Sequence, residues 1–195
     1  MLKRGMPLLS IVLLMAACSN KTEQPQASAE PVVHDIMKDK IDANADQVWE
    51  LTNGALDNDA NLDGSKLDDA TWDKIAQHAQ AVSDAANELV NLKTLTLIRP
   101  GETIADQDVV GGTTPEKVQD YLNAKSDDFR QYAGVLASHM ADMAADAKAH
   151  DAKKMGPLVD QLDGVCENCH LEFWYPDQRA YVESVRKKNG DDPTS

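Results

Sequence analysis

Aromatic side chains are scarce in this chain: two Phe, three Trp and four Tyr make up 5% of its 195 residues. Sandwich and barrel cores draw on aromatic and β-branched residues. The 42% hydrophobic fraction here rests mainly on Ala, Leu, Val and Met and points to helices. Basic residues are also in short supply, with 19 Lys and Arg against 33 Asp and Glu and a formal charge of −14. That balance excludes a protein that works by neutralising nucleic-acid phosphates. Cysteine occurs three times, an odd count that excludes a fully paired disulfide framework and asks for a role for each thiol. Strict two-residue alternation is missing throughout, so no strand is expected. The apolar run Pro7 to Ala17 has about eleven residues, too few for a ~30 Å hydrocarbon core, which needs about 20.

That run has a different reading. Lys3 and Arg4 precede it, and positive residues followed by a short apolar stretch form a secretion signal. It ends in Met15-Ala16-Ala17-Cys18, which resembles the bacterial lipobox. The resemblance implies cleavage after Ala17, lipidation of Cys18, and a membrane anchor through that residue. With Ser19 rather than Asp behind the cysteine, it implies the periplasmic face of the outer membrane. The competing reading is an ordinary signal peptide with an incidental cysteine. Loss of residues 1–17 removes two bases and no acids, leaving 17 against 33 and a mature charge of −16.

Residues 18–32 are polar, with Pro25 and Pro31 and no apolar period, and read as a flexible tether. Four helical stretches are expected after it. The first covers about Val33 to Asn53, with Val33, Met37, Ile41, Ala45, Val48 and Thr52 on one stripe and Gly54 as its stop. The second starts near Asp69 and carries Trp72, Ile75, Ala79, Val82, Ala86, Leu89 and Leu97 until Pro100. The third opens with Thr114-Pro115-Glu116, a cap followed by proline at the first helical position, and runs to about His150. The fourth spans roughly Ala152 to Trp174, limited by Pro176. The expected fold is all-α, an antiparallel four-helix bundle over residues 33–185, with residues 186–195 as a disordered tail.

Cys166-Glu167-Asn168-Cys169-His170 is a C-x-x-C-H sequence, the attachment signature of c-type haem. On a helix the two thiols lie three residues apart and His170 four from Cys166, so all three address one flat ligand. The thiols of Cys166 and Cys169 suit thioether bonds to the haem vinyls, and the His170 imidazole suits proximal coordination of iron. A Cys166–Cys169 disulfide would close a strained loop within a helix, and a thioredoxin-like pair would need a strand-to-helix setting.

Four helices with C-x-x-C-H in the last one resemble the cytochrome c-prime family, including its low-spin, methionine-ligated branch, over about residues 33–185. The resemblance implies one covalent haem c within the bundle, a residue of the first helix on the distal face, and pairing into a homodimer through the first two helices. It makes Met37 the leading distal ligand, because Met37 lies on the stripe of that helix; the competing reading is a flexible core methionine. His34, one turn earlier, is the alternative ligand. Met140 and Met143 are expected to be packing residues, and His78, His139 and His150 surface residues. Two departures stand out: Trp174 occupies the position four after the motif histidine, where the family often carries Arg or Lys, and a long segment from Pro100 to Thr114 joins the second and third helices.

Three functions compete. The first is a lipid-anchored, periplasm-facing monohaem cytochrome for single-electron transfer, whose −16 surface attracts a redox partner with a basic docking face. The second, with no distal side chain on the iron, is a five-coordinate binder of NO or CO. The third is a haem-free envelope scaffold lipoprotein. No nucleophile–base pair suggests an enzyme. Asp59-Ala60-Asn61-Leu62-Asp63-Gly64 matches the first half of a calcium loop, but Ala70 stands where the bidentate Glu belongs, and an Asx-rich turn explains the same residues. Cys18→Ser is expected to abolish acyl labelling and to move the protein from the membrane to the soluble fraction. Unchanged labelling would refute the anchor.

Overall fold

In the computed structural model, residues 30–189 are described, apart from Ala60 and Asp106, and every regular element among them is helical. The signal, Cys18 and most of the tether therefore lie outside the described residues. Helix α1 spans residues 33–53. It begins with a helical turn at Val33–Asp35, widens into a π-helix over Ile36–Asp42, and continues as an α-helix over Ala43–Asn53. Its first amide donors are satisfied from elsewhere in the chain: Val33 N–H donates to the Thr96 carbonyl at 2.8 Å and His34 N–H to Leu97 at 2.9 Å.

Helix α2 covers Asp69–Asn91 and is capped by Asp68, whose carboxylate accepts the Thr71 N–H at 2.8 Å. It stops well before Pro100, contrary to the sequence expectation. Leu97, expected on this helix, is buried with Leu95 from a non-helical segment. The Gln119 side chain takes over the backbone bonding there, accepting from Leu97 N–H at 2.8 Å and donating to the Leu95 carbonyl at 2.8 Å.

The expected third helix is two. Helix α3, Pro115–Ala124, and helix α4, Ser126–Lys148, meet at Lys125, whose φ of −130° and ψ of 41° leave the helical region. No Gly or Pro marks that break. The Lys125 ammonium pairs with Glu172 on helix α5, which covers Ala152–Phe173 and is capped by Asp151. His150 makes the α4–α5 turn in a left-handed conformation, φ 51°, and stacks on Trp72 with ring centroids 5.3 Å apart. A short 3-10 turn, Pro176–Gln178, leads to helix α6, Arg179–Asn189, which takes in residues 186–189 of the segment read as a tail.

Packing runs from α1 to α2, from α2 to α4 and from α4 to α5. Small side chains line the α2–α4 contact: Ala79, Ser83 and Ala86 on one side and Ala137, Ala144 and Ala147 on the other are buried, and Ser83 Oγ donates to the Ala137 carbonyl at 2.8 Å. Met140, Met143 and Met155 are fully buried and fill the space between helices. His139 is buried too, correcting its surface assignment. Its Nε2 lies 2.8 Å from the Leu158 carbonyl, which can only accept, so that nitrogen carries the proton. His78 is half-buried against Asn44. In the Asp-rich loop, Asp57 accepts the N–H groups of Asp59 and Asn61, and Asp63 accepts from Ser65, the Asx-turn arrangement. Among the described residues, no helix is long and apolar enough to cross a membrane.

The start of α1 is fixed by Arg99, which donates to Asp35 at 2.5 Å and to Glu102 at 3.2 Å. The Arg99 hydrogen bond holds the Asp35 carboxyl below its ordinary 3.8. A depressed carboxylate contributes stability above its unfolded pKa and loses it as pH falls through the folded value. Arg99→Ala is thus expected to lower the denaturant midpoint slightly at neutral pH, with the difference vanishing well below pH 3.8. A difference that persists unchanged in acid would contradict the pairing.

Candidate functional site

α1, α4 and α5 wall a cavity of about 390 Å³, within the ~300–1,000 Å³ typical of cofactor sites. The α5 wall carries Cys166, Cys169 and His170, and the α1 wall carries His34, Met37 and Ile41. The candidate residues on two helices distant in sequence thus share one hollow. Cys18 lies outside the described residues.

The shape of α1 decides what it presents. In a regular α-helix the stripe Val33, Met37, Ile41 would face the core, but in the widened segment residues five apart come onto one face. Ile36, at 0% exposure, and Ile41, at 4%, are the buried pair, with Val33, Ala45 and Val48 completing the face. Met37 is half-buried and turned to the cavity wall. Met37 thus packs against the edge of the core and lines the cavity at the same time, while Ile36 beside it is fully buried.

Cys166 and Cys169 are free thiols, both half-buried. Burial pushes Cys166 up to about 11, with help from the Asp163 and Asp42 carboxylates, and Cys169 up to about 12. Burial lowers His170, against the opposing pull of Asp42, Asp163 and Glu167. At neutral pH the site therefore holds two protonated thiols and an imidazole biased to its neutral, ligating form. The His170 ring lies among aromatic neighbours, 6.4 Å from Trp174 and 6.3 Å from Tyr175, measured between centroids. The Trp174 and Tyr175 amides both donate to the His170 carbonyl at 2.7 Å, fixing the end of α5 around the motif.

Five of the chain's nine aromatic residues line this cavity: Trp49, Phe129, Tyr132, Trp174 and Tyr175. Phe173 stands behind them, edge-on to Phe129 and Tyr132 at 5.5 and 6.2 Å. The sequence signal for them was the scarcity of aromatics elsewhere, but nothing local marked Trp49 or Tyr132. The clamp on the motif was also missed. Arg186 of α6 pairs with Glu167 and donates to Asn168 at 3.2 Å, engaging both intervening residues of C-x-x-C-H. Arg179 donates to the Leu171 carbonyl at 3.1 Å and pairs with Glu172, favourable at a helix C-terminus. A basic residue near the end of the motif helix is thus supplied by α6 rather than by position 174.

Two thiols and an imidazole on one wall, a thioether on another and apolar rings around them form a donor set that fits a flat, covalently held haem with axial nitrogen and sulfur. Compared with protein-family models, curated proteins and solved structures, the chain finds no match.

Proposed function

We propose that this chain is a monohaem c-type cytochrome of the cytochrome c-prime kind, anchored at the periplasmic face of the outer membrane through Cys18 and acting in single-electron transfer. The observation that carries the reading is the convergence of Cys166, Cys169, His170 and Met37 on one aromatic-lined cavity. In this reading α1, α2, α4 and α5 are the four helices of an antiparallel bundle, with α3 and α6 as additions.

Cys166 and Cys169 would hold haem c through thioethers, and His170 and Met37 would supply imidazole and thioether ligands to its iron. The group supplies a one-electron change at iron, with a potential raised by thioether ligation. The remaining work belongs to the chain. Before attachment, burial holds both thiols in the protonated form, and it biases His170 to the neutral form. The lining is mainly apolar and aromatic, and Arg186 and Arg179 hold the motif turn by its polar residues. The acidic surface attracts a redox partner with a basic docking face, and association should slow as salt rises.

Protein made with c-type maturation is expected to show a Soret band that survives denaturing extraction and is lost in Cys166→Ala/Cys169→Ala. Absence of the band in the native sequence would sink the haem reading and leave the scaffold lipoprotein. Met37→Ala is expected to convert the oxidised spectrum from low to high spin and to open the reduced protein to CO. An unchanged spectrum would remove Met37 from the iron.

A further inference from the structure

Among the described residues, four of the five exposed large apolar side chains gather at one place. Val109 and Val110, 49% and 98% exposed, form the tip of the segment between α2 and α3, and Tyr181 and Val185, 73% and 36% exposed, lie on α6. Tip and helix are joined just before α6 begins. The Gln178 side chain donates to the Val110 carbonyl at 3.4 Å and packs so closely on Gly111, φ 80°, that a Cβ there would come within 3.0 Å of it. Helix α6 has two faces. Arg179, Val182 and Arg186 are half-buried, and the two arginines are engaged with Glu172 and Glu167 of α5. Tyr181, Val185 and Lys188, four and three residues apart, form an exposed stripe with Lys187 beside it. With both arginines turned inward, these two lysines carry the outward charge of a helix that holds four bases and one acid, Glu183, in a chain of 19 bases and 33 acids. Single exposed apolar residues are ordinary, but a group of them rimmed by polar side chains marks an interaction surface.

The place where the described domain begins bears on what covers this face. Val33 and His34 donate to the Thr96 and Leu97 carbonyls, Arg99 pairs with Asp35, and His34 lines the same cavity as Ala105 and Tyr175. The start of α1 therefore shares one end of the domain with the segment that leads to Val110 and with the end of α5 from which α6 departs. Residues 19–31, the stretch read as a tether, give a flexible chain of about 20 Å root-mean-square reach and ~45 Å at full extension. A lipid on Cys18 thus keeps this end of the domain close to the bilayer. A redox partner with a basic face would be repelled by Lys187 and Lys188, and a second copy would bring the same lysines against themselves.

We propose that Val109, Val110, Tyr181 and Val185 form a membrane-docking face that enters the headgroup region of a phospholipid bilayer, with Lys187 and Lys188 meeting anionic headgroups. The proposal rests on the anchor at Cys18, which raises the local concentration enough for a small apolar contact to matter, and does not depend on haem. Docking by this face leaves the acidic remainder of the surface to a partner in solution.

The test uses the mature chain, residues 18–195 with Cys18→Ser, exported from an ordinary cleaved signal so that neither lipid nor signal contributes. It is sedimented at low salt with vesicles of phosphatidylethanolamine and phosphatidylglycerol, or of phosphatidylcholine alone. The bound fraction is expected to be about threefold or more greater on the anionic vesicles, and to fall by a similar factor in Val110→Ser/Tyr181→Ser and in Lys187→Gln/Lys188→Gln. Val135→Ser, at the exposed apolar residue on α4, is expected to bind as the parent does. All these side chains are exposed, and helical circular dichroism identifies variants that have folded. No binding by the parent, or equal binding by parent and variants, would overturn the docking face, while acyl labelling of Cys18 in the native chain would leave the anchor standing. Loss of that labelling would remove the anchor and the basis of the proposal with it. A dimer in light scattering that Val110→Ser/Tyr181→Ser converts to monomer would make this face a self-interface and overturn the membrane assignment.

Discussion

Helix α1 has to bury one face against α2 and at the same time wall the cavity with the adjacent face. The apolar stripe Met37, Ile41, Ala45 and Trp49 lies on the cavity shared with the motif on α5. Along the widened turn Ile36–Asp42, Ile36 and Ile41 are buried, and Ile41 with His34, Met37 and Lys38 also lines the cavity. The start of the helix is fixed by bonds from Val33 and His34 to the segment after α2 and by the Arg99 pair, so the local distortion is held at a set place in the fold. The function proposed for the site depends on the thioether that α1 places on the cavity.

The cavity is also where the composition of the chain makes sense. Most of the core is made of Ala, Leu, Val and Met at close helix contacts, as on the α2–α4 face. The few aromatics are concentrated around the motif, where five of the nine line the cavity. Helix α6 brings local positive charge to an acidic chain, and Arg186 and Arg179 spend it on the polar residues and the end carbonyls of the motif helix.

Much of this was legible in the sequence, for physical reasons that also explain what was not. The bounds of α1 followed from its stripe and from Gly54, yet the π turn inside it did not, because a sequence stripe does not distinguish a repeat of four from one of five. Leu97 satisfied a helical period although Gln119, more than twenty residues away, supplies the backbone bonds that let its segment leave the helix. Lys125 breaks α3 from α4 without a glycine or proline. On the site, Cys166, Cys169 and His170 were readable because their spacing is local. Met37 was singled out on the stripe as a distal ligand, and it does line the cavity, whereas Trp49, Tyr132 and Arg186 reach the site only through tertiary packing.

The proposed covalent haem is tested most directly by the intact mass of the denatured protein. The expected result is the mass of the chain with one haem added, absent when Cys166 and Cys169 are both replaced by alanine. Unmodified thiols at 166 and 169, or a disulfide between them, in protein made with c-type maturation would contradict it.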